Sequence, residues 1–358
     1  GGRELINFSS NDYLSLAGDA RLARAAAAAA KRYGCGAGAS PLISGYSPPL
    51  RALERDLADW EEAEAVLVFA SGHAANVALP DALVGRGDAV FSDALNHASL
   101  IDGCRLSRAA VHVYRHNDAA HLADLLHQEG RNASRRLIVS DSVFSMDGDA
   151  APLPQLVELA DRYDCLLLID EAHATGVLGA HGRGLTDDLP PASWSWDRLI
   201  KVGTLSKALG TQGGFVCGSR RLIDWLVNRA RPYIFSTALA PPIAAAARRA
   251  VEVARQEPQR RQRVVALAEQ LRRQLRELGG NVGASRGPIV PFIVGSVRET
   301  MALSHRLQQQ GLLAPAIRPP SVPEGSARLR LSVTADHGEA DVARLVDALR
   351  ANVFSRYN

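Results

Sequence analysis

The sequence predicts an α/β protein: a large domain on a mostly parallel sheet with helices on both faces, then a smaller α+β C-terminal domain. Three observations carry this. Seven short apolar runs alternate with helical stretches up to about residue 238, the rhythm of a parallel sheet buried on both faces. Beyond that point come two long arginine-rich helices and then a mixed order of strands and helices. No repeat period is visible, and no apolar run nears the ~18 residues that a membrane span requires.

Residues 1–47 form an N-terminal segment without sheet rhythm, expected to pack on the small domain or on a partner. Within it, 22–33 is alanine-rich and helical, and stops at Gly34-Cys35-Gly36-Ala37-Gly38. The large domain spans 48–238. Ser47-Pro48-Pro49 opens a helix by N-cap and first-turn proline logic, with Leu50, Leu53, Leu57 and Trp60 on one face. Strands are expected at 66–69, 89–91, 111–114, 137–139, 166–169, 199–202 and 215–217. Between the earlier ones lie helices near 74–84, 98–107, 118–128 and 153–163. The small domain spans 239–358. It has helices over 239–278 broken around Pro258, a strand at 289–294, and a helix near 298–310. Strands near 312–318 and 327–334 follow, then a last helix from about 338.

Composition sets the outer bounds. The chain has 358 residues, 47% hydrophobic and 22% charged, too apolar for a disordered protein and long enough for two domains. A net charge of +3 implies no nucleic-acid partner without a concentrated patch. Four dispersed cysteines form no C-x-x-C pair, so zinc and redox motifs are not expected. Cys165 and Cys217 sit in apolar runs as buried thiols, a usage that fits a reducing cytoplasm. The chain starts at Gly1 without methionine, so further residues are expected upstream. Only Lys31, Lys201 and Lys207 are lysines; the other 38 of the 41 basic residues (41 − 3) are arginines. Arginine replaces lysine in most roles except losing its proton and acting as an amine. Each surviving lysine therefore raises a question, and for Lys31 and Lys201 the sequence offers no account beyond chance.

Three segments carry chemistry. Leu166-Leu167-Leu168-Ile169-Asp170-Glu171-Ala172-His173 is a buried strand ending in an acid, with a histidine three residues on. Ligands of open α/β sheets gather at such strand ends. Val202-Gly203-Thr204-Leu205-Ser206-Lys207, followed by Gly210 and Gly213-Gly214, places a lysine and two hydroxyls just past the next strand. A lysine there can form a Schiff base with an aldehyde. Ala70-Ser71-Gly72-His73-Ala74-Ala75-Asn76 follows a strand and begins a helix, whose first amides can bind phosphate. Alone, such an acid also serves as a helix cap and such a lysine as an ordinary surface residue. No P-loop and no G-x-G-x-x-G at a strand-to-helix junction is present, which argues against a nucleotide. Together the segments supply an amine, an acid for a ring nitrogen and a phosphate cradle, the needs of pyridoxal 5'-phosphate (PLP). His97, in Leu95-Asn96-His97-Ala98-Ser99, is the candidate stacking group.

These residues sit within a wider pattern that resembles the α-oxoamine synthases, a family of fold-type-I PLP-dependent transferases. The resemblance runs through essentially the whole chain. It includes Asn7-Phe8-Ser9-Ser10-Asn11-Asp12-Tyr13-Leu14, Ser44-Gly45-Tyr46, Asn96-His97-Ala98-Ser99, Val143-Phe144-Ser145-Met146-Asp147-Gly148-Asp149, Asp170-Glu171-Ala172-His173 and Thr204-Leu205-Ser206-Lys207. Ala316-Ile317-Arg318-Pro319-Pro320-Ser321-Val322-Pro323, with Ala327-Arg328-Leu329-Arg330-Leu331, looks like the branch of biotin synthesis. That branch condenses L-alanine with a pimeloyl thioester and releases CO2; glycine-using members of the family usually differ before the Val-Pro.

The resemblance implies a role for each matching residue. Lys207 is the Schiff-base lysine and removes the alanine Cα proton. Asp170 pairs with the pyridine nitrogen, His97 stacks on the ring and meets substrate, and His173 contacts the phenolic oxygen. Ser145, Thr204 and the amides of Gly72 and His73 hold cofactor or phosphate. Ser236 and Thr237 match the pair that reaches a neighbouring subunit's phosphate, so a homodimer with a shared active site is implied. Asn11, Ser321 and Arg330 match substrate-contacting positions, the arginine fork suiting a carboxylate. His73 stands where relatives often carry Phe or Tyr, so only its amide is carried over. Ser321 is threonine in relatives, which keeps the hydroxyl. The helical arginines Arg255, Arg260, Arg261, Arg263, Arg272, Arg273 and Arg276 suggest a docking face for an acidic acyl carrier protein, weighed against a solvated helix face.

Overall fold

The computed structural model describes Gly2 and residues 4–354. Gly1, where the expected N-terminal segment begins, and 355–358, the end of the expected small domain, lie outside the described residues. Contacts divide the chain into a large unit, Leu16–Val143 with Ala151–Glu257, and a small unit, Gly1–Ser15, Phe144–Ala150 and Pro258–Asn358.

The small unit opens with β1 (Ile6–Asn7), and the large unit follows with α1 (Ala20–Tyr33) and α2 (Pro48–Glu61). Asp19 caps α1 by accepting from the Arg21 amide. The seven apolar runs then become β2 (Ala65–Phe69), β3 (Ala89–Asp93), β4 (Ala110–Tyr114), β5 (Arg136–Asp141), β6 (Leu166–Asp170), β7 (Leu199–Thr204) and β8 (Gly214–Gly218). Between them lie α3 (Gly72–Leu83), α4 (Ala98–Leu106), α5 (Ala119–Glu129) and α6 (Leu153–Arg162). The seven strands form one sheet in the order β2-β8-β7-β6-β5-β3-β4. Only β8 runs against its neighbours; the other pairings are parallel. Alternate residues such as Leu67, Phe69, Leu137, Val139, Ile200 and Val202 feed one buried cluster with Leu79 and Leu226. This is the period-2 logic of a pleated strand.

Past the sheet, α7 (Arg220–Arg229) and α8 (Arg231–Ile234) have no counterpart in the sequence reading. In α7 only Ile223 and Leu226 are buried among polar neighbours, so the apolar stripe is faint. The helix pair around Pro258 is present as α9 (Pro241–Gln256) and α10 (Pro258–Glu277). The sequence boundary after 238 assigns both to the small domain, whereas here α9 lies in the large unit. Its small side chains Ala244, Ala247 and Ala250 are buried, and the helix packs on α1 and α2.

In the small unit, β9 (Ile289–Gly295), α11 (Val297–Gln309), β10 (Leu312–Leu313), β11 (Ala316–Ile317), β12 (Ala327–Ser332) and α12 (Glu339–Leu349) follow α10. β12 lies antiparallel between β11 and β9. Leu271, Leu275, Val290, Phe292, Leu303, Leu329, Leu331 and Leu345 form its core, joined by Phe8. The strand expected over 312–318 is two strands in two sheets. Pro315 between them has no amide to donate, so β10 pairs with β1 and β11 with β12. The N-terminal segment likewise divides, residues up to Ser15 belonging to the small unit and α1 to the large one.

Candidate active site

In the large unit the site grows from the C-terminal ends of β5, β6 and β7. β7 ends in Thr204, and the chain folds back at once: the Leu205 amide donates to Gly213 O and the Gly210 amide to Lys207 O. This turn holds Lys207 with Nζ 2.9 Å from His173 Nε2. β6 ends in Asp170, only 3% exposed. Its carboxylate accepts from the Ala172 amide at 2.8 Å and from Asn76 Nδ2 at 2.6 Å. Asn76 also reaches Ser99 Oγ at 3.0 Å, and Ser99 Oγ lies 2.7 Å from His97 Nδ1. The hydrogen-bond chain Asp170–Asn76–Ser99–His97 therefore joins two of the candidate catalytic residues. The Ser99 amide donates to His97 Nδ1, which places the neutral ring's proton on Nε2.

Burial lowers the pKa of His97 below its ordinary value, with Lys207 acting the same way and Asp170 against it. The His97 amide donates to Asp141 at 2.7 Å. Burial, then the neighbouring Asp170 charge, pushes the Asp141 carboxyl well above the usual range. Sequence reasoning missed Asn76, Ser99 and Asp141. The first two stood inside segments already singled out, as polar residues on otherwise apolar helix starts; Asp141 ends β5 as Asp170 ends β6, and that repetition was the available signal.

The N-terminus of α3 lies beside this turn. Ser71 caps it by accepting from the Ala74 amide, so the Gly72 and His73 amides have no partner within the helix. A Cβ on Gly214 would come within 2.5 Å of Gly72, and one on Gly72 would meet Thr204 Oγ1 at 3.5 Å. Thr204 Oγ1 and Ser206 Oγ are 2.9 Å apart. Two glycines thus keep a small cradle of amides and hydroxyls clear, with an amine and a buried carboxylate in the same unit. That donor set fits a phosphorylated pyridine aldehyde. Ser236 and Thr237 lie on the link between α8 and α9, outside this cluster.

The remaining candidates belong to the small unit. Arg330 Nε donates to Ser145 O at 2.5 Å, and Nη1 donates to Asn11 Oδ1 and Ser332 Oγ, each at 3.1 Å. Asn11, Ser145 and Arg330 therefore assemble together, while Ser321 stands on an exposed loop after β11. Of the arginines offered as a docking face, three are used by the small unit itself. Arg260 donates to Leu14 O, Arg263 to His337 O and Arg272 to Gly287 O.

Lys201 corrects the sequence reading. It is 2% exposed, with Nζ 2.5 Å from Glu61 Oε2 and bonded to Arg183 O. Burial works against its charge, but Glu61 and Glu171 more than offset that and hold its pKa above the ordinary lysine value. It is the cation of a buried ion pair, not a chance survivor. Lys31 is exposed in the last turn of α1.

With this geometry in hand, the relationships of the chain are clear. Residues 3–349 match the family model described as aminotransferase class I and II, and the chain belongs to that family. The more particular kinship is to 8-amino-7-oxononanoate synthases. The protein of that name from Anaeromyxobacter dehalogenans is 51% identical over 352 residues, 98% of this chain and 87% of that one. A solved 8-amino-7-oxononanoate synthase from Francisella tularensis superposes with a TM-score of 0.85 at 26% identity, covering 99% of both chains. A serine palmitoyltransferase from S. paucimobilis with bound PLP–myriocin gives a TM-score of 0.94 at 28% identity, covering 99% of this chain and 88% of that one.

Proposed function

We infer that this chain catalyses the 8-amino-7-oxononanoate synthase reaction, the decarboxylative condensation of L-alanine with a pimeloyl thioester in biotin synthesis. The observation that carries the inference is 51% identity to a synthase of that name along 98% of the chain. The cofactor is PLP, which supplies an electron sink for a carbanion at the amino-acid Cα.

The chain's own residues then have definite work. The Gly72 and His73 amides with Thr204 hold the phosphate at a helix N-terminus. Asp170, buried and oriented by Asn76, keeps a proton on the ring nitrogen. His97 stacks on the ring and offers its Nε2 proton to substrate, and His173 faces the phenolic oxygen. Lys207 Nζ takes the alanine Cα proton and later returns one to the product carbon, work that a guanidinium cannot do. Asn11, Ser321 and Arg330 bind substrate, and Ser145 stands with them. Ser236 and Thr237 complete the phosphate site of a second subunit. Phe235, next to that pair in the chain and 70% accessible, is an exposed apolar side chain that supports a homodimer. No helix among the described residues is long and apolar enough to cross a membrane. Free thiols at Cys35, Cys104, Cys165 and Cys217 support a reducing, cytoplasmic setting.

The test is a titration of the holoenzyme with L-alanine, glycine and L-serine, followed by pimeloyl-coenzyme A or pimeloyl-acyl carrier protein, with CO2 release as readout. Turnover is expected with alanine. CO2 release with glycine alone would assign the chain to a glycine-using synthase, and product without CO2 would make it an aminotransferase.

A further inference from the structure

Tyr13 is fully buried, and nothing in the reaction above uses it. Its hydroxyl donates to Asn11 Oδ1 at 3.1 Å, the same oxygen that accepts from Arg330 Nη1 at 3.1 Å. Guanidinium carries no acceptor, so the Asn11 atom facing Arg330 is the oxygen and not the nitrogen. Two donors on Oδ1 fix the amide plane. Nδ2 is left as the outward donor, without a hydrogen bond among the described residues. The Tyr13 hydroxyl also contacts Arg330, and its pKa is pushed up to about 12 by burial, so it remains a donor at any working pH.

The rest of the neighbourhood is arranged to keep this geometry. The Ala335 amide donates to Tyr13 O at 2.8 Å, and Ser332, beside Arg330 Nη1, donates its amide to Phe8 O at 2.8 Å. Phe8 in turn stacks on His337 with ring centroids 4.4 Å apart. Residues 8–15 are thereby clamped along β12 and the turn after it, inside one unit.

We propose that Tyr13 is a positioning residue that turns the Asn11 amide so that its Nδ2 donor, beside the Arg330 guanidinium, recognises a substrate carboxylate. The proposal rests on the reading that Asn11 and Arg330 bind substrate. A carboxylate offers only acceptors and gains from two adjacent donors; an outward Oδ1 would repel it. Both substrates carry one, the amino acid at its α-carboxylate and the pimeloyl thioester at its distal end.

The test uses three single variants of the holoenzyme: Asn11→Asp, Tyr13→Phe and Arg330→Lys. L-alanine affinity is read by calorimetry, and KM and kcat are measured for each substrate. Asn11→Asp keeps an acceptor for Tyr13 and Arg330 but presents an oxygen outward. It should weaken one carboxylate substrate by about 100-fold, and which substrate responds identifies the carboxylate. Tyr13→Phe should weaken the same substrate by about tenfold, the loss of roughly one hydrogen bond. For Tyr13→Phe, which removes no group that meets substrate, kcat should stay within about threefold. A purely structural role would lower stability and kcat without this split; a further double variant separates the two, since under the proposal Tyr13→Phe adds nothing in an Asn11→Ala background. If Asn11→Asp binds both substrates normally while Arg330→Lys does not, the proposal is overturned. It is also overturned if only Tyr13→Phe is silent. If Arg330→Lys is silent too, the substrate-binding reading has failed first. Should Tyr13→Phe not fold, the Asn11→Asp result still decides the amide's orientation.

Discussion

The cluster around Lys207 in the large unit and the cluster around Arg330 in the small unit are built by opposite means. The first comes from the ends of neighbouring parallel strands and the first turns of the helices beside them, so secondary structure alone delivers its groups. The second gathers Asn11, Ser145 and Arg330 from three remote parts of the chain, Asn11 and Arg330 being 319 positions apart. Their electrostatics differ as well. Asp141 and Asp170 are buried near an amine and an imidazole in the first. In the second a single guanidinium is surrounded by neutral oxygens. The first is suited to move protons and the second to bind an anion.

Breaking the comparison at its strongest point means removing Lys207. Lys207→Ala should lower turnover by at least about 10⁴-fold while leaving the unfolding midpoint nearly unchanged. Lys201, in the same unit, should behave in reverse. Lys201→Met strands Glu61 and should cost about 3–5 kcal/mol of stability with kcat intact, whereas Lys201→Met with Glu61→Leu should recover most of that loss. Chemical denaturation of the three proteins reads it. In the small unit, Arg330→Lys should raise a substrate KM by roughly 10- to 100-fold with little change in kcat, since a point charge replaces a bidentate fork.

The smallest effect is in pH dependence. Burial raises the Glu54 carboxyl in the large unit from 4.5 to about 7. Between those values the folded chain binds more protons than the unfolded one, so the stability Glu54 contributes falls as pH rises. Burial lowers His337 in the small unit below 6.5, so there the unfolded chain binds more protons and stability is lost as pH falls. Glu54→Gln and His337→Asn should each flatten one of these opposing slopes in denaturation midpoints measured from pH 4.5 to 7.5.

The same contrast explains what could be read in advance. The strands, Asp170, Lys207 and the α3 cradle follow from apolar periodicity and from chemistry placed at strand ends. Asn11, Ser145 and Arg330 became visible only through resemblance, because no local pattern marks residues that meet across hundreds of positions; Ser321, on its exposed loop, was likewise read only from resemblance. Lys201 escaped altogether: a charged residue in an apolar run looks like noise until its partner, 140 positions away, is seen beside it. The boundary at 238 and the end of the large contact unit at Glu257 differ for a related reason. A change of sequence rhythm marks where the sheet ends, whereas the surface that α9 covers is set by α1 and α2.

The central claim is that, of three lysines, Lys207 alone carries the cofactor. Borohydride reduction of the holoenzyme fixes PLP to whichever lysine holds it, and peptide mass mapping then locates the added mass. The account predicts the label on the peptide containing Lys207, and neither label nor visible absorbance in Lys207→Ala. A label on Lys31 or Lys201, or a coloured and active Lys207→Ala enzyme, would contradict it.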